Sequence, residues 1–265
     1  MTGSLEGRNA LVSGGSRGIG KAIALRLAKQ GAAVGINYRR DEDAAFRTLE
    51  EIESAGGKAV VCQADVRVFE QCAELVDCVR QRIGVIDILI NNAGVASRGM
   101  SVVDTDPEEL PHVLYSNAIS AAYLSKLVVP GMRSLDRGDV IAISASVTRG
   151  YGAQGAPVNM AKAALEAFAF TLAAEERQYG IRVNVVAPGL VETESGRRLV
   201  RATAGIRDMR ELDASSPFGA VCQPSDVAKV VHFLVSDDNK YISGERIYCD
   251  AGVSRRDSRF GNSSR

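Results

Sequence analysis

Four glycines fall within the seven residues 14–20: Gly14, Gly15, Gly18 and Gly20. Glycine forms and breaks no bonds, but it lets a backbone pass close to a phosphate that a Cβ would hold away. The apolar run Ala10-Leu11-Val12 leads into this turn, and Ile19, Ile23 and Leu27 follow it at helical spacing. Strand, glycine turn and helix in that order aim free N–H groups and the positive end of a helix dipole at a pyrophosphate. At the end of the next apolar run stands Asn37-Tyr38-Arg39-Arg40, where a site for unphosphorylated NAD carries an acidic residue. Arg39 or Arg40, joined by Arg17 from the turn, suits a 2′-phosphate. Asp41 is close by, but it precedes a helical run as a cap does. The pattern predicts NADP(H) over NAD(H).

Alternating strands and helices must position these residues. Residues 32–38 read as a buried strand, 42–55 as a polar helix stopped by Gly56-Gly57, and 58–63 as a third strand. A helix over 67–83, closed by Gly84, leads to a fourth strand at 87–90. Strands separated by helices imply a parallel α/β sheet with right-handed crossovers. The 265 residues, 46% hydrophobic and 24% charged, suit one soluble globular domain. A formal net charge of zero argues against nucleic acid or an anionic membrane as partner. No apolar run approaches the ~20 residues of a membrane span, and residues 1–8 lack the apolar core of a secretion signal. Five cysteines without a C-x-x-C pair predict free or buried thiols and a cytoplasmic location. Two histidines make a metal site improbable, so none is expected.

The spacing Gly14-x3-Gly18-x-Gly20, preceded by Ser13, resembles the short-chain dehydrogenase/reductase family. Ala64-Asp65-Val66 looks like its adenine-binding step, and Asn91-Asn92-Ala93-Gly94 matches its Asn-Asn-Ala-Gly motif. The run from Asn184 through Pro188-Gly189 to Thr193 resembles the segment that covers the nicotinamide. Gly244 and Asp250-Ala251-Gly252 resemble the last strand and its Asp-Gly-Gly, with Ala251 for the first glycine. The nearest general pattern is the 3-oxoacyl-carrier-protein reductase type. The resemblance implies a single-domain Rossmann fold over residues 1–253, a doubly wound parallel sheet of about seven strands with helices on both faces. A substrate lid is expected near 194–218 and a disordered tail at 254–265. It further implies cofactor contacts from Gly14, Ser16, Arg17, Gly18, Ile19, Gly20, Arg39, Asp65, Val66, Asn91, Ala93, Gly94, Lys162, Pro188, Gly189, Val191 and Thr193.

Family chemistry rests on Asn, Ser, Tyr and Lys. The tyrosine gives a proton to the carbonyl oxygen as hydride arrives, the serine bonds that oxygen, the lysine lowers the phenol's pKa and holds the ribose, and the asparagine keeps a water chain. Asn117 and Lys162 occupy the matching places. The Tyr-x3-Lys spacing puts the tyrosine at 158, which is Val158, and the usual serine spacing lands on Ala145 between Ser144 and Ser146. Ser146 fits if the following loop is one residue shorter. Three explanations follow: Tyr151 supplies the proton, water or a substrate hydroxyl supplies it, or redox chemistry is lost and the fold binds nucleotide for another purpose. The reading favoured is carbonyl reduction with an altered proton source; conjugated-alkene (enoyl) reduction is the nearest rival, and non-redox nucleotide binding the rival from another class.

His232, in the apolar run 230–235, reads as a core residue, and His112 has no catalytic seat. Arg197, Arg198 and Arg201 read as a solvated face of the lid helix. The stretch after Lys162 is apolar nearly all round, which demands cover on both sides. With the family resemblance, this implies a homotetramer, or a homodimer, built on that helix and on the one carrying Asn117.

Overall fold

The computed structural model describes residues 3–253, with residues 202–204 described by backbone alone. The expected tail, 254–265, lies outside the described residues. Seven parallel strands form one sheet in the order β3-β2-β1-β4-β5-β6-β7. They are β1 (Asn9–Val12), β2 (Ala33–Tyr38), β3 (Lys58–Gln63), β4 (Ile88–Asn91), β5 (Gly138–Ile143), β6 (Ile181–Pro188) and β7 (Arg246–Cys249). Chain order reverses between β1 and β4, and a crevice opens at the carboxyl ends of the strands on such a switch point. The expected doubly wound sheet is what the chain forms.

Helices cover both faces. On one side α1 (Gly18–Lys29) and α8 (Pro224–Val235) pack Ile23, Leu27, Val227 and Val231 against Val12, Ile36, Ile90 and Val186. On the other, α3 (Phe69–Ile83), α5 (Ser120–Met132) and α6 (Ala156–Glu176) bury Leu75, Val79, Leu124, Leu165 and Ala169 against Leu11, Leu89 and Val185. Burial on both faces explains why these strands read as unbroken apolar runs. Helix α2 (Glu42–Ser54) is capped by Asp41, whose Oδ1 accepts from Ala44 N at 3.1 Å. At the opposite end from the crevice, Asp139 accepts from Arg8, Arg137 and Arg182, tying β1, β5 and β6 together.

Short helix α4 (Glu109–Leu114) runs through a π-turn, Tyr115–Ile119, directly into α5. Helix α7 (Glu194–Ala204) and a 3₁₀ segment, Met209–Ser215, occupy the stretch 194–218. Arg197 and Arg198 pair with Glu192 and Glu194, and Arg198 also lines the cleft over the glycine turn.

Two expectations are corrected. Cys62 and Cys78 form a disulfide, because the end of β3 and the inner face of α3 bring their Cα atoms to 6.6 Å, within disulfide range. Only Cys72, Cys222 and Cys249 are free. His232 is half-buried between α1 and α8 rather than in the core, with Nε2 2.8 Å from Ser4 Oγ and Nδ1 3.2 Å from Arg26 Nη2. Its place on the outer edge of α8 leaves room for both partners.

Candidate active site

The glycine turn is held open by side chains behind it. Ser13 Oγ accepts from Asn92 N and Ala93 N at 2.9 and 3.0 Å, fastening the turn to the end of β4. Asn92 Nδ2 returns bonds to Ser13 O (2.9 Å) and Gly14 O (3.1 Å). Asn37 Oδ1 accepts from Gly14 N at 3.1 Å while its Nδ2 donates to Ala64 O. These three residues tie the turns after β1, β2, β3 and β4 into one frame. Gly14 and Gly18 have φ of 62° and 53°, where glycine is favoured. A Cβ on Gly20 would stand 2.2 Å from Gly14 O, so the first turn of α1 closes only with glycine there.

A cleft of about 780 Å³ opens over this frame. Of the expected cofactor residues, Gly14, Ser16, Arg17, Gly18, Ile19, Gly20, Arg39, Asp65, Val66, Ala93, Gly94 and Thr193 line it. Asn91 does not reach it, since its side chain is buried in the sheet and donates to Ser125 Oγ. Pro188, Gly189 and Val191 lie at and just beyond the end of β6, where Gly189 N donates to Cys249 O.

The adenosine end carries a concentration of cations. Arg17, Arg39, Arg40 and Arg67 all border the cleft. Burial and the neighbouring Arg67 push the Arg39 guanidinium down from its usual range, with Asp65 opposing. Guanidinium groups crowded in this way favour an anion among them. Asp65 is already committed: Arg67 forks onto it, and that hydrogen bonding holds its carboxyl at about 2. The backbone cradle and this basic rim fit the pyrophosphate and 2′-phosphate of NADP(H).

At the other end, Asn117 sits in the π-turn and donates from Nδ2 to Val95 O and Val113 O, each at 3.0 Å. Such turns recur at functional sites because they displace a side chain from the regular helical ladder. A Cβ on Gly94 would lie 2.4 Å from Asn117 Oδ1 and 3.7 Å from Lys162 Nζ. The three residues therefore meet at one point, although Lys162 comes from α6. Lys162 is buried and donates to Ile143 O at 2.8 Å. Burial pushes its ammonium down to about 8, against the opposing charge of Glu166.

Val158 lies one turn before Lys162 in α6. Ser144 Oγ is spent on Glu166 Oε1 at 2.5 Å, while Ser146 opens a 3₁₀ turn, Ser146–Arg149, and is partly exposed. Tyr151 follows that turn with φ of 48° and 54% exposure, within electrostatic reach of Arg246. Sequence reasoning missed Thr148 and Glu166, and it met Asn37 and Asn92 only as members of motifs, without the bonds that hold the glycine turn. Among the described residues there is no cluster of metal ligands, and no helix is long and apolar enough to cross a membrane.

A phosphate cradle at the switch point and an Asn–Lys pair beside Gly94 define a dinucleotide-dependent oxidoreductase, and the chain belongs to the short-chain dehydrogenase/reductase family. Residues 14–254 match a family model described as enoyl-(acyl carrier protein) reductase. Its relatives include an uncharacterized oxidoreductase of Methylorubrum extorquens, 38% identical over 94% of this chain and 98% of the relative. A probable tetrahydroxynaphthalene reductase of Zymoseptoria tritici is 34% identical over 95% and 96%. Among solved structures, landomycin C-6 ketoreductase LanV with bound NADP and rabelomycin is 32% identical, with a TM-score of 0.83 over 94% of this chain and 97% of that one. The protein is an NADP(H)-dependent short-chain reductase.

Proposed function

We propose that the protein reduces a ring ketone, in a site whose proton source departs from the family pattern. The observation that carries this reading is the meeting of Asn117 and Lys162 at Gly94, beside a nucleotide cleft, with valine at position 158. A non-redox nucleotide binder needs the cleft but not that meeting. The ring-ketone class is taken from two relatives, a tetrahydroxynaphthalene reductase and a C-6 ketoreductase.

When bound, NADPH supplies the hydride. Lys162 holds the nicotinamide ribose and keeps positive charge near the forming alkoxide, a role suited to a buried ammonium that stays mainly protonated at neutral pH. Ser146 bonds the substrate oxygen, since the Ser144 hydroxyl is committed to Glu166. Asn117 anchors the water chain that returns protons to Lys162. The proton for the product hydroxyl comes from Tyr151, or from water or a substrate hydroxyl. Loss of a general acid lowers rate by about 10²–10⁴, whereas orientation of hydride donor and acceptor contributes more, so reduction survives valine at 158.

The second reading, reduction of a conjugated alkene, is favoured by the description of the matching family model. NADPH oxidation across ring ketones, 3-oxoacyl thioesters and enoyl thioesters separates the readings. Turnover of ring ketones is expected. Turnover confined to enoyl thioesters favours the alternative, and tight NADPH binding with no turnover favours a non-redox role.

A homotetramer is part of the same proposal. Along α6, Met160, Ala164, Ala167, Thr171 and Ala174 are exposed, a strip apolar but for Thr171, whose hydroxyl donates back to Ala167 O, and a second copy is its natural cover. Light scattering gives the mass directly, and a monomer at micromolar concentration would remove this part.

A further inference from the structure

Glu166 is 4% exposed on α6, whose buried face is apolar but for Lys162, Glu166 and Glu176. Its carboxylate is fully occupied. Oε1 accepts from Ser144 Oγ at 2.5 Å and from Thr148 Oγ1 at 2.8 Å, and Oε2 accepts from Arg246 Nη1. The three donors come from the end of β5, from the 3₁₀ turn after it, and from β7. That turn is gripped a second time through Arg149, which stacks 3.8 Å above the Tyr248 ring and pairs with Asp250 at 3.2 Å. Tyr151 N in turn donates to Val147 O at 2.7 Å. The segment carrying Ser146 and Tyr151 therefore takes its place from Glu166.

A buried ion pair is weak as a stabilising device, and apolar residues of similar volume often serve stability as well or better. The position of this carboxylate supplies a different reason for it. Glu166 follows Lys162 by four residues, on the same face of α6. The elements packed around Lys162 contribute neutral groups: Gly94 after β4, Asn117 from the π-turn, and Ile143 and Ser144 from β5. Among the described residues, Glu166 is the charge that bears on the Lys162 ammonium, and Arg246 lies behind that carboxylate.

We propose that Glu166 is the positioning residue of this site, clamping the turn that carries Ser146 onto α6 and setting a counter-charge one helical turn from Lys162. Only the consequence for catalysis rests on the ketoreductase reading.

The two roles separate by substitution. Glu166→Gln keeps an oxygen acceptor for Ser144 and Thr148 and removes the charge. Thr148→Val keeps the charge and removes part of the clamp. Lysine side chains of the nucleotide-free protein are followed by ¹³C NMR against pH, with Lys162 assigned by Lys162→Met. The wild-type midpoint is expected at about 8. In Glu166→Gln it falls by about one pH unit, and in Thr148→Val it stays in place while amide exchange over residues 146–151 speeds up about tenfold. An unchanged midpoint in Glu166→Gln overturns the proposal, as does unchanged exchange in Thr148→Val. Should Glu166→Gln not fold, the double variant Glu166→Gln/Arg246→Met removes both members of the ion pair and must show a fall in the same direction, smaller because a cation leaves with the carboxylate. Ketone reduction measured alongside keeps the readings apart. An alkaline limb that moves with the midpoint supports both, whereas a shifted midpoint without turnover of any ketone removes the reductase reading and leaves the Glu166–Lys162 coupling standing.

Discussion

Val158 and Lys162 lie one turn apart on α6, so a side chain at 158 is carried on the helix face that leads to the buried ammonium. A phenol there would sit beside a cation that stabilises its anion, which makes it a better acid at neutral pH. Val158→Tyr is therefore expected to raise ketone reduction, by up to about 10²–10⁴ where proton transfer limits the rate. The companion substitution is Tyr151→Phe. If Tyr151 is the working donor, Tyr151→Phe abolishes turnover with NADPH affinity unchanged, and Val158→Tyr gains little or crowds the site. Steady-state rates and NADPH titrations of both variants decide between the donors, and a wild-type rate in both leaves water or substrate as the source.

Arg39 faces Asp65 across 4.0 Å at the rim of the cleft, with Arg67 behind the same carboxylate. Arg39→Asp places a carboxylate where the 2′-phosphate is expected and offers an acceptor to ribose hydroxyls instead. NADPH affinity should fall by at least tenfold while NADH affinity holds or rises. Calorimetry with both dinucleotides measures this, and an unchanged preference would remove Arg39 from the phosphate site.

The parts of the site legible in the sequence are those encoded locally. The glycine turn rests on the φ values of Gly14 and Gly18 and the missing Cβ of Gly20, all within seven residues, and the Asp41 cap needs only the helix that starts at the next residue. The parallel sheet followed from the alternation of strands and helices, whereas the strand order is seen only in the fold. What stayed hidden depends on distant segments meeting. Cys62 and Cys78 are 16 residues apart and pair only because α3 lies across the end of β3. Asn37 reads as the end of a cofactor-selecting strand, yet its side chain bridges Gly14 and Ala64. Glu166 interrupts an apolar pattern, and its partners come from 18 to 80 residues away.

Gly94 is predicted to tolerate no side chain. In Gly94→Ala the new methyl would meet Asn117 Oδ1 at 2.4 Å, so the asparagine must leave its place between Val95 O and Val113 O. Crowding of this kind costs about 1–3 kcal/mol. The variant should lose both stability and turnover, the second more completely, because Asn117 and Lys162 no longer meet. Urea denaturation and NADPH oxidation check the two effects. A variant of wild-type stability and rate would show that the close approach has no role.

The buried Lys162 also predicts how stability depends on pH. Its ammonium titrates at about 8 in the fold against 10.5 for the free side chain, so between those values the unfolded chain binds the extra proton. Stability of the nucleotide-free protein should therefore rise with pH through this window, by no more than about 3 kcal/mol. Below pH 8 the penalty of the buried charge is present in full. Urea denaturation of wild type and Lys162→Met at pH 7 and pH 10 isolates the effect, since the methionine variant lacks the titrating group. Parallel changes in the two proteins would exclude Lys162 as their source.

The Cys62–Cys78 disulfide closes a loop that spans the turn bearing Asp65 and most of α3. In the chain-entropy account, a cross-link over a separation of 16 residues stabilises by about 3 kcal/mol, chiefly by restricting the unfolded chain. Reduction with dithiothreitol should lower the free energy of unfolding by roughly that amount. Cys62→Ser/Cys78→Ser should reproduce the loss and remove the response to reductant. Because Cys62 O and Ala64 O both accept from Asn37 Nδ2, and Asn37 Oδ1 holds Gly14 N, the loosening should also reach the nucleotide cleft. NADPH affinity is expected to fall two- to threefold, about half a kcal/mol, on reduction of the wild type. Identical stability and affinity before and after reduction, with free thiols counted to confirm that the bond has opened, would show that the bridge carries neither effect.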